Sequence, residues 1–180
     1  MSVTPEEFTM VDFDPAEIVG IATELMDRVG FDGELAIVVD EASPLARSTL
    51  TAGNPVTVEV EGGAFEDTKR PRQLSPDRTA DVLGRLLLRH LDRQAGFSEA
   101  PGEDDLSLAE HSAWEVYAVG RLDRLGYRSQ KKRRLYQFRN RHGFTDAADA
   151  AFERLWTGEG LTWSDVVTIS EEAREAVSPD

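Results

Sequence analysis

The sequence predicts an α+β fold, in which a small sheet of two to four strands packs against several helices and the C-terminal half is helical. Two observations predict it. Apolar residues recur at helical spacing before residue 30 and again in several runs after residue 75. Between these runs lie only two clear strand patterns, which are too few to alternate with helices in a doubly wound sheet.

The first half of the chain contains one predicted helix and two predicted strands. Asp14 and Pro15 are typical of a helix start, and Gly30 of a helix end. Residues 34–40 form an apolar run that predicts a strand buried on both faces, and residues 56–61 alternate as a half-exposed strand. The remaining stretches are predicted loops: residues 41–55, with a short element near 45–50, and residues 69–74, which are basic.

The second half is predicted to be helical. Ser75 and Pro76 begin a helix that runs to about Ala95, and Ser107 with Glu110 forms a capping box for the next one. Further helices are predicted at 130–141 with Ser129 as cap, from Thr145 or Asp146 onward, and as short pieces near 163–168 and 171–177. We divide the chain into an α+β core domain, 1–126, and a helical extension, 127–180, packed on the same core.

Composition excludes several classes of site. The 180 residues include no cysteine, which removes disulfides, zinc ribbons, iron–sulfur clusters and thiol nucleophiles. No apolar run approaches the roughly 20 residues of a transmembrane helix, and we expect a cytoplasmic protein. The net charge is −14, and most of its cations are arginines. This bias is compatible with adaptation to high salt and with a GC-rich genome.

Residues 121–141, here called the basic segment, carry nine Lys and Arg residues against Asp123 alone. Three uses are open: ion pairing within the fold, contact with a protein partner or a second copy of the chain, and binding of nucleic acid. The acidity of the rest of the chain disfavours nucleic acid. The partner-binding candidates in this segment are Arg128, Lys131, Lys132, Arg133 and Arg134.

One predicted substructure resembles a known enzyme family. A strand at 56–61, a loop and the helix containing Leu83–His90 together resemble the core of small zincin metallopeptidases. Zincins bind zinc through His-Glu-x-x-His on that helix. At the equivalent positions this chain has Arg85, Leu86 and Arg89. The resemblance implies a degenerate, non-catalytic member without cofactor, in which Arg85 and Arg89 face an anion or form salt bridges.

A metal site of another kind remains an alternative. His111 and Glu115 are four residues apart on one predicted helix, and Glu110, three residues before Ala113, is similar to the segment that supplies a third zincin ligand. His90 on the preceding helix completes this set, although its place in an apolar stripe favours a packed histidine. We therefore predict a non-catalytic domain that binds a protein partner or an anionic ligand. A metal-dependent hydrolase and a nucleic-acid-binding protein are the alternatives.

Overall fold

A computed structural model of the chain describes residues 1–175 and has the predicted α+β fold with a helical C-terminal half. It consists of two compact units, one spanning Met1–His90 and the other beginning at Leu91. The division falls inside helix α2 (Pro76–Gln94), whereas the sequence predicted a boundary between residues 126 and 127. Helix α3 (Leu108–Arg124) belongs to the second unit because it packs on the helices that follow it.

The first unit is built on a mixed four-stranded sheet. Strands β1 (Ser2–Thr4) and β2 (Leu35–Asp40) are parallel, as are β2 and β4 (Val56–Glu61), and β3 (Ser48–Thr51) lies antiparallel to β4 at one edge. Helix α1 (Pro15–Val29) is the crossover that connects the parallel strands β1 and β2. The spatial order is β1-β2-β4-β3.

Strand β2 is buried on one face only, so the prediction of burial on both faces was wrong. Leu35, Ile37 and Val39 point into the core, whereas Val38 is 38% exposed. The register pairs Ile37 with Val58, and the two central strands therefore share one buried and one solvent-facing side. An uninterrupted apolar run does not by itself distinguish these arrangements, because an apolar side chain is tolerated at the surface.

Two further strand assignments differ from the prediction. The basic stretch 69–74 is not a loop: strand β6 (Arg70–Leu74) pairs antiparallel with the short strand β5 (Glu66–Asp67). Strand β3 overlaps the short element that was predicted near residues 45–50, and it begins and ends later than that element. Both strands are polar and short, and main-chain pairing forms them without the apolar alternation on which the sequence prediction relied.

The second unit is a helical bundle around an aromatic core. Its capping box has the predicted form, since the Ser107 hydroxyl accepts from the Glu110 amide and the Glu110 carboxylate accepts from the Ser107 amide. Trp114, Phe138 and Phe152 are fully buried in the shared core. The helices that follow α3 are α4 (Lys131–His142), α5 (Asp146–Thr157) and α6 (Trp163–Glu175).

Two helix predictions in this unit were wrong in detail. Ser129 does not cap α4: its hydroxyl donates to Asp123 at 2.6 Å, and Gln130 stands at the cap position with a left-handed φ of 50°. The two short pieces near 163–168 and 171–177 are one helix, α6, because Val166, Ile169 and Ala173 form a continuous buried stripe. Residues 176 and 177 lie outside the described residues.

A buried ion pair lies within this bundle. The Arg121 guanidinium donates to both carboxylate oxygens of Asp92, at 2.7 and 2.6 Å, and the Trp114 indole donates to the same carboxylate at 2.7 Å. Removing one of these partners would leave a buried carboxylate incompletely paired, which lowers the free energy of unfolding.

None of the helices within residues 1–175 combines the length and the apolarity that crossing a bilayer requires.

Candidate functional site

Arg85, Leu86 and Arg89, the positions that the predicted zincin resemblance singles out, lie on α2 in the first unit. The Arg85 guanidinium donates to the Ser48 hydroxyl at 3.0 Å, which links α2 to the edge strand β3. Arg89 is only 4% exposed, so its guanidinium is enclosed by protein. Leu86 is half-buried. Arg89 is thus buried in the first unit, whereas Arg85 is half-buried against β3.

His90 is packed in the first unit, as its place in an apolar stripe indicated. It is 8% exposed, and its ring lies edge-on to Phe31 with centroids 5.9 Å apart. Burial lowers the pKa of His90, since the interior disfavours the charged imidazolium.

The other metal-ligand candidates are occupied by other contacts. Glu110 closes the capping box of α3. His111 Nδ1 lies 3.7 Å from Glu115 Oε2, and Glu115 also accepts from Arg134 at 2.5 Å. Across residues 1–175, no three His, Asp or Glu side chains are grouped so as to hold a metal ion. His90, Glu110, His111 and Glu115 therefore do not assemble into the alternative metal site.

Much of the basic segment is engaged within the second unit. Lys131 contacts Glu153 at 2.7 Å and Arg134 contacts Glu115. The other engaged members are Arg121, which pairs with Asp92; Arg124, which donates to the Trp156 and Gly158 carbonyl oxygens; and Arg139, which donates to both oxygens of Asp149. Lys131 and Arg134, predicted as partner-binding residues, thus serve the fold, as the ion-pairing interpretation proposed.

One of these pairs also shifts two titrations. The hydrogen bond from Arg139 lowers the pKa of Asp149, and the same bond raises the pKa of Arg139. Both groups are accordingly held in their charged forms, which fixes one flank of α4 against α5.

The remaining members define a solvent-facing surface, which we call the outer face of α4. It comprises exposed residues that repeat at helical spacing: Lys132, Arg133, Tyr136, Gln137, Asn140 and Arg141. Lys132, Arg133 and Arg141 form no side-chain hydrogen bond or ion pair with any residue in the part of the chain that the structure describes. Helix α4 itself contains six Lys and Arg residues and no acidic one. The outer face is therefore a strip of unneutralised positive charge.

Two exposed aromatic side chains accompany this strip, Tyr136 at its middle and Phe144 just beyond the C-terminal end of α4. Tyr136 is 58% and Phe144 62% exposed, and their rings meet edge-on with centroids 5.9 Å apart. Two shallow depressions flank the strip, of about 270 and 690 Å³, and Asn140 and Arg141 line both. Exposed aromatic rings of this size beside unpaired cations are a feature of binding surfaces.

The sequence located this region but not its geometry. Arg141, Gln137, Asn140 and Phe144 were absent from the predicted partner-binding residues. Leu135 and Phe138, apolar and three residues apart, mark the inner side of α4. Rotating the helix from those two inner positions identifies the outer face, so the signal was present in the helical spacing. Arg128 is exposed but engaged elsewhere.

Comparison of the chain with models of protein families, with curated proteins and with solved structures finds no match. The class that the fold and the site define is therefore a structural one: an α+β chain whose helical unit displays a basic, aromatic-flanked helix face.

Proposed function

We propose that this chain is a non-catalytic, zincin-like domain, located in the cytoplasm, that binds an anionic partner through the outer face of α4. The observation that carries the proposal is the contrast within the basic segment. Its inward cations each have an intramolecular carboxylate or carbonyl, whereas Lys132, Arg133 and Arg141 have none among residues 1–175. Those three are the charges available to another molecule.

Two features support the absence of zinc chemistry. The positions that hold the zincin histidines and glutamate carry Arg85, Arg89 and Leu86, and guanidinium groups repel a divalent cation. Arg85 is instead bonded to Ser48, and Arg89 is enclosed in the fold. A zincin-like layout with these replacements retains the scaffold and loses both the metal ligands and the general base.

The overall charge of −14 does not oppose local binding. At physiological ionic strength, fields are screened over about 8 Å, so a ligand on α4 responds chiefly to groups within that distance. The acidic groups paired with α4 in the structure, Glu115, Asp149 and Glu153, are each neutralised by an α4 cation. The N-terminal part of the outer face, with Lys132 and Arg133, therefore keeps a positive local potential on an acidic molecule, whereas Arg141 at the other end shares a depression with Glu171 and Glu175.

The proposal is tested by retention on immobilised heparin at low salt. We expect the wild-type chain to be retained and the double variant Lys132→Glu/Arg133→Glu to elute without retention. The matched control is Arg47→Glu/Lys69→Glu, which makes the same charge change at two exposed cations of the first unit and should remain bound. No retention of the wild type, or an equal decrease in both variants, would refute the proposal.

Elemental analysis of the purified protein tests its non-catalytic part. We expect no stoichiometric zinc, and we expect chelation to leave the thermal unfolding midpoint unchanged. Stoichiometric zinc, with peptide cleavage that chelation abolishes, would instead establish the hydrolase alternative.

A further inference from the structure

We infer that the outer face of α4 binds the major groove of double-stranded DNA, with Lys132, Arg133 and Arg141 on phosphates and Gln137 and Asn140 on base edges. This inference rests on the proposed function and names the chemical class of the anionic partner.

The arrangement of side chains along α4 carries the inference. Lys132 and Arg133 lie at the N-terminal end of the outer face and Arg141 at the other, with Gln137 and Asn140 between them. Cations on phosphates position a protein on a duplex, whereas amide side chains pair with adenine in the major groove. A strip with cations at both ends, and with Tyr136 and the two amides between them, therefore matches backbone contact on both sides of a groove.

The dimensions and support of α4 agree with this use. Its 12 residues span about 18 Å at 1.5 Å per residue, and a major groove about 12 Å wide admits one helix. Phe138 and His142 are buried on the inner side, and α4 contacts α3, α5 and α6. The helix is thus held on one side and free on the other. The deep, narrow major groove of an RNA duplex does not admit it.

The flanking ion pairs neutralise three carboxylates beside the outer face. Lys131, Arg134 and Arg139 pair with Glu153, Glu115 and Asp149, respectively. At the C-terminal end of α4, Glu171 and Glu175 line the same depression as Arg141, together with Arg174, and oppose an approaching phosphate there. The acidic remainder of the chain still slows approach, and binding should be correspondingly sensitive to salt.

An acidic protein partner fits the same surface less well. Protein interfaces place an apolar or aromatic cluster at their centre and polar groups at the rim. On the outer face of α4, Tyr136 is a single ring in a polar strip beside Gln137 and Asn140, and Phe144 lies beyond the helix end. These rings can contact sugar or an unstacked base at the margin of the groove.

The test is fluorescence anisotropy with a short random-sequence DNA duplex, titrated across salt concentrations, and in parallel with poly-L-glutamate. We expect the full-length protein to bind the duplex. Replacing Lys132, Arg133 and Arg141 by alanine should weaken binding at least tenfold at low salt. It should also reduce the slope of log affinity against log salt by about 0.9 for each phosphate that the variant no longer neutralises.

The amides are tested with duplexes of different defined sequence. Gln137→Ala with Asn140→Ala should leave the salt slope unchanged and should bring the affinities for these duplexes closer together.

The outcomes separate this inference from the proposed function. Binding to poly-L-glutamate but not to the duplex would overturn the inference and leave an anionic protein as the partner. If the protein bound neither heparin, nor the duplex, nor poly-L-glutamate, the DNA inference and the proposed function would both be overturned. Duplex binding that the alanine variant retains in full, with an unchanged salt slope, would place DNA on another surface and also overturn the inference. Arg47→Ala with Lys69→Ala and Arg72→Ala, which removes three charges from exposed positions of the first unit, serves as the control for net charge.

Discussion

At the scale of single residues, glycine allows two helices of the second unit to approach closely. A Cβ at Gly120 of α3 would lie 2.2 Å from the Trp156 carbonyl oxygen and 2.8 Å from the Trp156 Cα, both in the backbone of α5. No rotamer change relieves such a contact, because the obstructing atoms are main chain. Gly120 is therefore required by packing rather than by backbone conformation.

We expect Gly120→Ala to lower the free energy of unfolding by about 1–3 kcal/mol, since the two helices must separate to admit a methyl group. The control is Gly20→Ala in α1, an exposed helical position with no atom within 4 Å of the added Cβ. That change should raise the free energy of unfolding by about 0.5–1 kcal/mol through helix propensity. Urea denaturation measures both, and equal effects would contradict this account.

A second prediction at this scale concerns His142. Its Nδ1 lies 3.1 Å from the Phe138 carbonyl oxygen and must donate to it, so the neutral ring accepts at Nε2 from the Ser170 hydroxyl, 2.8 Å away. Burial lowers the pKa of His142, the bond to Phe138 opposes this shift, and the charge of Arg174 adds to it. The folded state therefore holds His142 neutral where the unfolded chain would protonate it.

The free energy of unfolding should thus be highest above the ordinary histidine pKa of 6.5 and should decrease as the pH falls below it. His142→Gln should show a smaller decrease, with part remaining because burial also lowers the pKa of His90. Asp149 and Asp165, whose pKa values are lowered, contribute only at more acidic pH. Urea denaturation at about pH 7.5 and about pH 5 tests this; identical changes in both proteins would contradict it.

At the scale of elements, α4 carries arginines on two sides, one of which packs within the fold while the other faces solvent. Arg134 is 15% exposed in its pair with Glu115, whereas the adjacent Arg133 faces solvent. From the sequence, Arg133 and Arg134 form one group. Changing both to glutamate is then expected to destabilise the fold if they pair within it, and to spare the fold if they face a partner. The structure predicts a different result for each arginine.

Arg134→Glu should destabilise the protein by about 1–3 kcal/mol, because it places a second carboxylate beside the half-buried Glu115. Arg133→Glu should change the free energy of unfolding by less than about 0.5 kcal/mol, as expected at an exposed position without an intramolecular contact. Thermal and urea unfolding of the two single variants test this. A similar destabilisation in both would show that Arg133 also serves the fold.

At the scale of the whole molecule, charge imbalance is the dominant feature. The chain carries 34 acidic against 20 basic side chains, so like-charge repulsion opposes the compact state. The ion pairs at the surface, such as Arg28–Glu24 and Arg154–Glu172, are each worth about 0–1 kcal/mol and cannot offset it.

We therefore expect the thermal unfolding midpoint to rise with NaCl concentration, by about 2–4 °C for each 1 kcal/mol of repulsion that salt screens. Differential scanning calorimetry at low and high NaCl measures this. KCl at matched ionic strength serves as the control and should act equally. A midpoint that falls with salt would mean that attractive ion pairs outweigh the repulsion.

Some features were determined by sequence alone because their causes are local. The capping box at Ser107 and Glu110, the start of α1 at Asp14 and the alternation of β4 depend on residues within a few positions of one another. The same holds for the α+β order of elements and for the presence of Arg85, Leu86 and Arg89 on α2. Short-range hydrogen bonding and side-chain periodicity are sufficient to predict such features.

Other features were decided by the folded structure because they depend on which backbone and side-chain groups pair in space, which apolar periodicity and capping signals do not specify. Strands β3 and β6 form by pairing polar backbone, Ser129 turns to Asp123 instead of capping α4, and α6 is continuous because one face of it is buried. Whether a cation of the basic segment is free depends on carboxylates such as Glu115, Asp149 and Glu153, 10 to 22 positions away along the chain. Composition gives the number of charges, and only packing determines which of them remain available for a partner.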